Sequence, residues 1–600
     1  MGILPSCVFL VFASYLFRYQ VAQNAQHRDY VDAIATQQNK LHSLRGKIFD
    51  RNYNIALAKN VSSYQIVLTP ALFSKKHREQ SIKELAELLN LSTEFIEGLL
   101  QKRMQEDEYL LVDNLLYSEL AVYLEQLGNY PGVNWKRNTK RYYPFNDSMS
   151  HIVGYVGNIT QNEKKLLNFE GYTLSDKIGK TGIEKQYEHK LRGEVGQKLN
   201  KVTATGKNVK DSEEIVRNSK PGNDLILTID RNIQNIVEKA IGERVGAAVV
   251  LKPSTGEILS MVSYPRFNSN IFSSSPDKRL ISQIRKNIHS PLFNRAIQAS
   301  TSPASTFKIL LLLAYYQEFP REWNTPVYDR GYVMVGNRAF YDWYRLGRGW
   351  ITPSNALSLS NNVFFYTIGV DKLGVNTIIR YADMLGLGNK TNIDLPGEVG
   401  GILPSPRWKS LRYREVWQDG DTANLSIGQG YLAATPIQLA NILAFIVNEG
   451  TIYTPYLLKE IREQISGKIV ERYSPKVLFS TDAIHSGVFT QLKRDMRKVV
   501  VSGTAQSVIN TDVVDIAAKT GTGQGAESVD EQQYSSLFVS FAPYAAPAED
   551  QIIVVIWIDA INEWEWWAPK AANIIYHAIF TNSTYEEAIA DLEEKGTWYL

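Results

Sequence analysis

Ser305-Thr306-Phe307-Lys308 sets a hydroxyl and an amine three residues apart, just ahead of the apolar run Ile309 to Tyr316. On a helix that spacing puts the two side chains on one face. In the first helical turn, unpaired backbone N–H groups and the positive end of the helix dipole favour negative charge developing on an attacking group. A buried lysine near a second cation gives up its proton readily, so Lys308 is suited to act as base toward Ser305. The chemistry implied is acyl transfer through a serine ester.

The tetrapeptide alone is weak evidence, because roughly two SxxK matches arise by chance in a chain of this length. A second one is present, Ser275-Pro276-Asp277-Lys278. It follows Ser273-Ser274 and contains a proline, which reads as a loop or helix cap. Ser360-Asn361-Asn362 lies between the helical ITPSNALSLS and Val363-Phe364-Phe365-Tyr366. It offers a hydroxyl and an amide two residues apart, which a turn would aim in one direction. Lys519-Thr520-Gly521-Thr522 is expected to end the strand VVDIAA. There Gly521 lets another backbone approach with no Cβ in the way. Lys180-Thr181-Gly182 also spells KTG, but it precedes Ser305 and leads into a charged helix. The ordered set of SxxK, SxN and KTGT, with the last on a strand, is what excludes coincidence.

These residues need a frame. From about Gly222, Leu225 to Ile229 reads as a strand and Gln234 to Ile241 as a helix. GAAVVLKPSTGEILSMVS then gives two strands around the turn Lys252 to Gly256, a hairpin. Near the other end VDIAAKTGTG, YSSLFVSFAPY and DQIIVVIWID read as strands extending the same antiparallel sheet, with mainly helical segments between. Residues 22 to 44 are polar with spaced apolar positions and read as a helix leading away from the N-terminal apolar stretch; from Arg45 to about residue 215, short strands such as YQIVL alternate with helices such as KELAELLNL, a mixed α+β region. The last twenty residues are acidic and expected to be peripheral.

At the other extreme, Ile3 to Phe17 is nearly all apolar, and continuation to Val21 approaches the roughly 20 residues of a spanning helix. A cleaved signal peptide is the rival reading, with a weak site near Ala22 and Ala25. No Lys or Arg precedes Arg18 to set orientation, so the true start is expected upstream. With 65 basic and 62 acidic residues, net +3, there is no electrostatic case for a nucleic-acid partner. The single cysteine, Cys7, excludes an intramolecular disulfide. The histidines form no ligand-spaced pair, so neither a metal nor another cofactor is expected.

SxxK, SxN and KTG in this order are the signature of β-lactamases and penicillin-binding proteins, and the likeness extends further. The chain resembles class B penicillin-binding proteins over nearly its whole length. This includes Arg45-Gly46-Lys47-Ile48-Phe49-Asp50-Arg51, the GIExxYExxLRGxxG segment from Gly182 to Gly196, and Asp394-Leu395-Pro396-Gly397-Glu398. Gly428-Gln429-Gly430-Tyr431, the segment Ala434 to Ala440, and Asp342-Trp343 with Gly347-Arg348-Gly349 are most similar to the elongation type, penicillin-binding protein 2. The septal type is the near alternative.

The resemblance implies a multidomain α+β chain: a membrane anchor over 1–21, a non-catalytic pedestal over 22–215, a penicillin-binding transpeptidase domain over 216–580, and an acidic tail over 581–600. It implies that Ser305 attacks a D-Ala-D-Ala stem peptide and that β-lactams acylate the same serine. Lys308 would take the serine proton, Ser360 would relay one to the leaving amine, and Asn362 would hold Lys308 and the peptide. Lys519 would set the local field. Thr520 and Thr522 would bind the terminal carboxylate beside Gly521, while the backbone N–H groups of Ser305 and Thr522 would form the oxyanion hole. Some relatives carry His and Cys metal ligands near the SxN; here Arg348 stands where a His would, so no metal site is carried over. Residues 22–215 contain no glycosyltransferase motifs, so the implied partners are a membrane glycan polymerase of the shape, elongation, division and sporulation class and elongation scaffold proteins. The implied location is the cytoplasmic membrane, single-pass, with the catalytic domain outside. A β-lactam sensor or scaffold, a hydrolase and a D,D-carboxypeptidase remain the alternatives.

Overall fold

The computed structural model describes residues 3–18, 36–41, 43–73, 78–101, 108–167, 172, 176–201, 214–273, 277–524 and 534–596. Its larger region is built on one five-stranded antiparallel sheet flanked by helices. In chain order the elements that matter here are α1 (Arg231–Ile241), β1 (Gly246–Lys252), β2 (Glu257–Tyr264), α2 (Lys308–Glu318), α3 (Pro353–Ser358), α4 (Asn362–Thr367), α5 (Pro436–Val447), α6 (Ser486–Ser502), β3 (Ala517–Gln524), β4 (Tyr534–Ala542), β5 (Ile552–Ala560), α7 (Trp567–Thr581) and α8 (Tyr585–Glu594). The sheet order is β2-β1-β5-β4-β3. The strands expected from both ends of the block therefore do share one sheet, with β3 at its edge.

Alternation builds the layers. Ala247, Val249 and Leu251 of β1 face one core together with Leu537, Val539 and Val555. Ala248 and Val250 face the other, with Phe538, Val554 and Ile556 and the helices α1 and α7. A strand buried on both faces is a nearly continuous apolar run, as β1 is from Gly246 to Leu251 and β5 from Ile552 to Ile558. Two helices on the first side are predominantly apolar and buried all round: every residue of α2 from Lys308 to Tyr316, and all of α5, is buried. Such helices belong inside a core. A capping box fixes the start of α5, with Gln438 N donating to Thr435 Oγ1 (3.4 Å) and Thr435 N to Gln438 Oε1 (2.9 Å). That gives a structural reason for the Thr435-Pro436-Ile437-Gln438 segment.

The strand read at Leu225 to Ile229 forms over Asp224–Leu227, but not in the five-stranded sheet. It pairs parallel with Ile48–Phe49 and antiparallel with Leu458–Arg462. The second sheet thus contains strands from both the first 150 residues and the catalytic region, including Ala56–Leu68, Tyr109–Leu115 and Val133–Tyr142. Helices Arg78–Leu89, Thr93–Leu100 and Tyr117–Leu127 cover part of it. The first of these buries Ile82, Leu85, Ala86 and Leu89, an i, i+3, i+4, i+7 stripe. Part of the segment expected as a helix over 22–44 is instead a strand: Thr36–Leu41 pairs antiparallel with Gly196–Lys201, and with Glu214–Arg217 they form a separate three-stranded sheet, pairing with distant strands overriding the local pattern.

The two pedestal motifs meet in a buried ionic knot. Arg45 Nε donates to Glu184 Oε2 (2.7 Å), and Arg141 Nε donates to Glu184 Oε1 (2.6 Å). Tyr143 Oη also donates to Glu184 Oε1, at 3.3 Å. Burial raises the Glu184 pKa, but the charges of Arg141 and Arg45 outweigh it and leave the carboxyl below its ordinary range. Asp394 ties the catalytic side to the pedestal, accepting from Leu457 N (2.7 Å), Leu458 N (2.9 Å) and Tyr187 Oη (2.8 Å).

The expectation for the C-terminal tail changes. The acidic C-terminal stretch is not peripheral throughout: α8 buries Ala588 and Leu592 against the core beside α7. At the N-terminus a helix spans Ile3–Phe17, and among the described residues no helix is long and apolar enough to cross a membrane.

Candidate active site

Ser305 lies in a 3-10 turn, Ala304–Phe307, that runs directly into α2. The turn is held by Ala304 N donating to Gly428 O at 2.9 Å. Ala304 has φ +48°, a left-handed conformation uncommon outside glycine. Ser305 opens onto a cleft of about 480 Å³ also lined by Ser360, Asn362, Thr504, Thr520, Gly521 and Thr522.

Lys308 is fully buried beneath that cleft. Its Nζ donates to Asn362 Oδ1 (2.6 Å), Ser360 O (2.8 Å) and Ser360 Oγ (3.4 Å). Lys519, equally buried, donates from the other side to Ser360 Oγ (3.0 Å) and to Thr520 O (2.8 Å). The i, i+3 spacing therefore anchors the Lys308 amine on the SxN turn, while the Ser305 hydroxyl has no hydrogen-bond partner among the described residues. Burial pushes Lys308 down to about 7, against the raising influence of Asp342. Lys519 is lowered well below its ordinary value, first by burial and then by the charge of Lys308. Two ammonium groups around one hydroxyl titrate as a pair, so near neutrality the site can hold a free amine.

The SxN residues sit in a tight turn between α3 and α4. Ser360 is left-handed, φ +55°, and Asn361 caps α4, accepting from Phe364 N at 2.7 Å. The KTGT residues lie inside β3 rather than at its end, because the strand continues to Gln524. Its register with β4 sets Lys519 opposite Val539 and Thr522 opposite Ser536. A Cβ on Gly521 would stand 3.0 Å from Thr306 Cγ2 and 3.3 Å from Leu537 Cβ. Glycine is what lets β3 pack this closely on the Ser305 turn.

All eight sequence-selected residues, Ser305, Lys308, Ser360, Asn362, Lys519, Thr520, Gly521 and Thr522, are thus brought together around one cleft. The KTG decoy is elsewhere. Thr181 begins a pedestal helix, with Lys180 paired to Glu163, and Ser275 lies outside the described residues. Sequence reasoning missed Thr504, whose hydroxyl is 2.7 Å from that of Thr520. Its one signal was Gly503 at the end of α6, where a Cβ would meet Ser358 O at 2.3 Å. It also gave no role to Asp329 and only a marker's role to Asp342. Among the described residues no group of three or more His, Cys, Asp or Glu is arranged to hold a metal. Arg348 brings an always-charged guanidinium, which cannot ligate one.

Comparison with known proteins shows the family. Residues 246–581 match the penicillin binding protein transpeptidase domain, and residues 40–227 the penicillin-binding protein dimerisation domain. The chain belongs to the penicillin-binding protein transpeptidase family. Among its relatives, peptidoglycan D,D-transpeptidase MrdA of Acinetobacter baumannii is 31% identical over 576 residues, covering 93% of this chain and 83% of that protein. MrdA of Escherichia coli K12 is 31% identical over 525 residues, covering 84% and 82%. Helicobacter pylori PBP2, solved in complex with MreC, superposes with a TM-score of 0.77 at 27% identity, covering 94% of this chain and 100% of that one. Pseudomonas aeruginosa PBP2, in complex with WCK 5153, gives 0.67 at 28% identity, covering 90% and 96%.

Proposed function

We propose that this chain is a peptidoglycan D,D-transpeptidase of the elongation type, cross-linking stem peptides through an acyl-enzyme on Ser305. The observation that carries the reading is the convergence of Lys308 and Lys519 on Ser360, with Asn362 holding Lys308, in the cleft onto which Ser305 opens. Neutral Lys308 takes the Ser305 proton as Oγ bonds to the carbonyl carbon of the penultimate D-Ala. The oxyanion is met by the N–H groups of Ser305 and Thr522. The intermediate collapses, the C–N bond breaks, and the Lys308 proton passes through Ser360 to the departing D-Ala amine. An acceptor amine then attacks the ester, Ser305 recovers its proton, and the new amide is the cross-link. Thr520 and Thr522 bind the donor's terminal carboxylate, with Lys519 supplying positive field and Asn362 holding the peptide amide. Gly521 permits the close approach of β3, and β-lactams acylate Ser305 in place of substrate.

The pedestal over 22–215, the catalytic domain over 216–580, and an anchor formed by the apolar N-terminus in the cytoplasmic membrane complete the proposal. A membrane glycan polymerase and an elongation scaffold are its partners. The MrdA relatives and a PBP2 solved with MreC support the elongation type over the septal one. The test supplies glycan from an active polymerase and analyses the muropeptides. The full chain yields cross-linked dimers and Ser305→Ala yields none. Release of D-Ala without dimers, with added amines failing to intercept the acyl-enzyme, would mark a carboxypeptidase or hydrolase. Stable penicillin labelling with neither product would mark a sensor.

A further inference from the structure

The strained left-handed backbone of Ser360 is held from outside its own motif. Asp342 Oδ2 accepts from the backbone N–H of Asn362 (2.6 Å) and Val363 (3.4 Å), and its Oδ1 accepts from Tyr344 N (2.9 Å). Asp329 Oδ2 accepts from Asn361 Nδ2 (2.8 Å) and Arg348 N (3.1 Å), and its Oδ1 accepts from Gly331 N (2.7 Å). Both carboxylates are only 1% exposed. A buried carboxylate surrounded by N–H donors in this way is fixed in place.

Both belong to one insertion between α2 and α3. It is made of two small antiparallel pairs, Val327–Asp329 with Gly349–Ile351 and Tyr332–Val335 with Arg338–Tyr341. Asp342 N, donating to Gly331 O at 2.8 Å, links the turns that carry them. Each residue of the SxN turn therefore has an external tether: Ser360 to the two lysines, Asn361 to Asp329, and Asn362 to both Asp342 and Lys308.

We infer that Asp329 and Asp342 are positioning residues for acylation: acting through Asn361 and Asn362, they hold Ser360 in its turn and Asn362 on Lys308, and Asp342 balances the buried lysine charge. The inference rests on the reading of Ser305 and Lys308 given above. The charged groups nearest Lys308 are Lys519 from β3 and Asp342 from the insertion, while Tyr366 of α4, Arg345 of the insertion, and Glu563 and Glu565 after β5 line the same cleft. Of the acidic groups, Asp342 is the one whose charge acts on Lys308. Its influence on Lys308 is to raise the pKa, so neutralising it eases proton loss and moves base-dependent acylation to lower pH.

The test is the acylation rate with a fluorescent penicillin from pH 5.5 to 9, resolved into limiting rate and half-saturating concentration, with thermal melting of each variant. Asp342→Asn keeps an acceptor oxygen but loses the charge, and its acid limb should shift down by roughly half a pH unit. Asp342→Ala and Asp329→Ala should lose about tenfold or more in limiting rate, with little change in half-saturation. Asn361→Ser retains a helix-capping oxygen while removing the donor to Asp329, and should lose rate in the same sense even if an alanine variant fails to fold. An unmoved acid limb in Asp342→Asn, or wild-type limiting rates in the folded alanine and serine variants, overturns the proposal. Wild-type protein that does not label at Ser305 overturns instead the reading beneath it.

Discussion

Lys308 and Lys519 reach the same hydroxyl, that of Ser360, from 3.4 and 3.0 Å. Ser360 is thereby the junction between the helix that follows Ser305 and the edge strand that borders the cleft. Because the two amines share it, the protonation of one constrains the other, and the pH response of the site belongs to the pair.

Acylation should therefore rise with pH through an apparent midpoint near 7. Lys308, depressed to about 7 chiefly by burial, is protonated and inactive as a base below that value and free above it. Lys308→Met should lower the acylation rate by roughly 10²- to 10⁴-fold, the usual contribution of a positioned base, and abolish this limb. Stopped-flow acylation across the pH range checks both points.

Gly521→Ala tests the approach of β3 to the serine turn. The new methyl would press on Thr306 Cγ2 and Leu537 Cβ, and the expected result is displacement of the strand relative to Ser305. A loss of about 10²-fold in acylation, with a melting temperature nearly unchanged, is predicted. Kinetics paired with calorimetry would show it.

Thr504→Val removes the hydroxyl that meets Thr520 while keeping the shape. If Thr520 binds the substrate carboxylate, losing this orienting hydrogen bond should weaken substrate binding by about 3- to 10-fold. The limiting rate should change less. Saturation kinetics with a D-Ala-D-Ala peptide distinguish the two effects.

Glu184→Ala leaves Arg45 and Arg141 buried without their shared carboxylate. The expected cost is about 3–5 kcal/mol, read as a lowered denaturation midpoint. In the wild type, Glu184 has a depressed pKa, so its contribution is fully present above the ordinary carboxylate range and fades as pH falls through the folded-state value. The difference between wild type and variant should shrink on acidification.

How far the sequence could be read follows the range of the interactions. The sheet was legible because β1 is a short apolar run, and β4 and β5 are rich in aromatic or β-branched residues, each bounded by turns, a local signal. The three motifs were legible because each compresses its chemistry into three or four adjacent residues. What holds them was not: Asp329, Asp342 and Thr504 act through contacts across the fold, and an isolated Asp or Thr has no periodicity to betray it. The same is true of Asp224–Leu227, correctly read as a strand, whose pairing with Ile48–Phe49 depends on residues far back in the chain. The acidic C-terminus misled because composition hid the two apolar residues, Ala588 and Leu592, that dock α8.

The most direct test of the central claim is intact-protein mass spectrometry of the penicillin adduct, with peptide mapping, on wild type and Ser305→Ala. The account predicts one equivalent of penicillin on the peptide containing Ser305 and none on the variant. Labelling that survives Ser305→Ala, or an adduct mapped to Ser275, would contradict it.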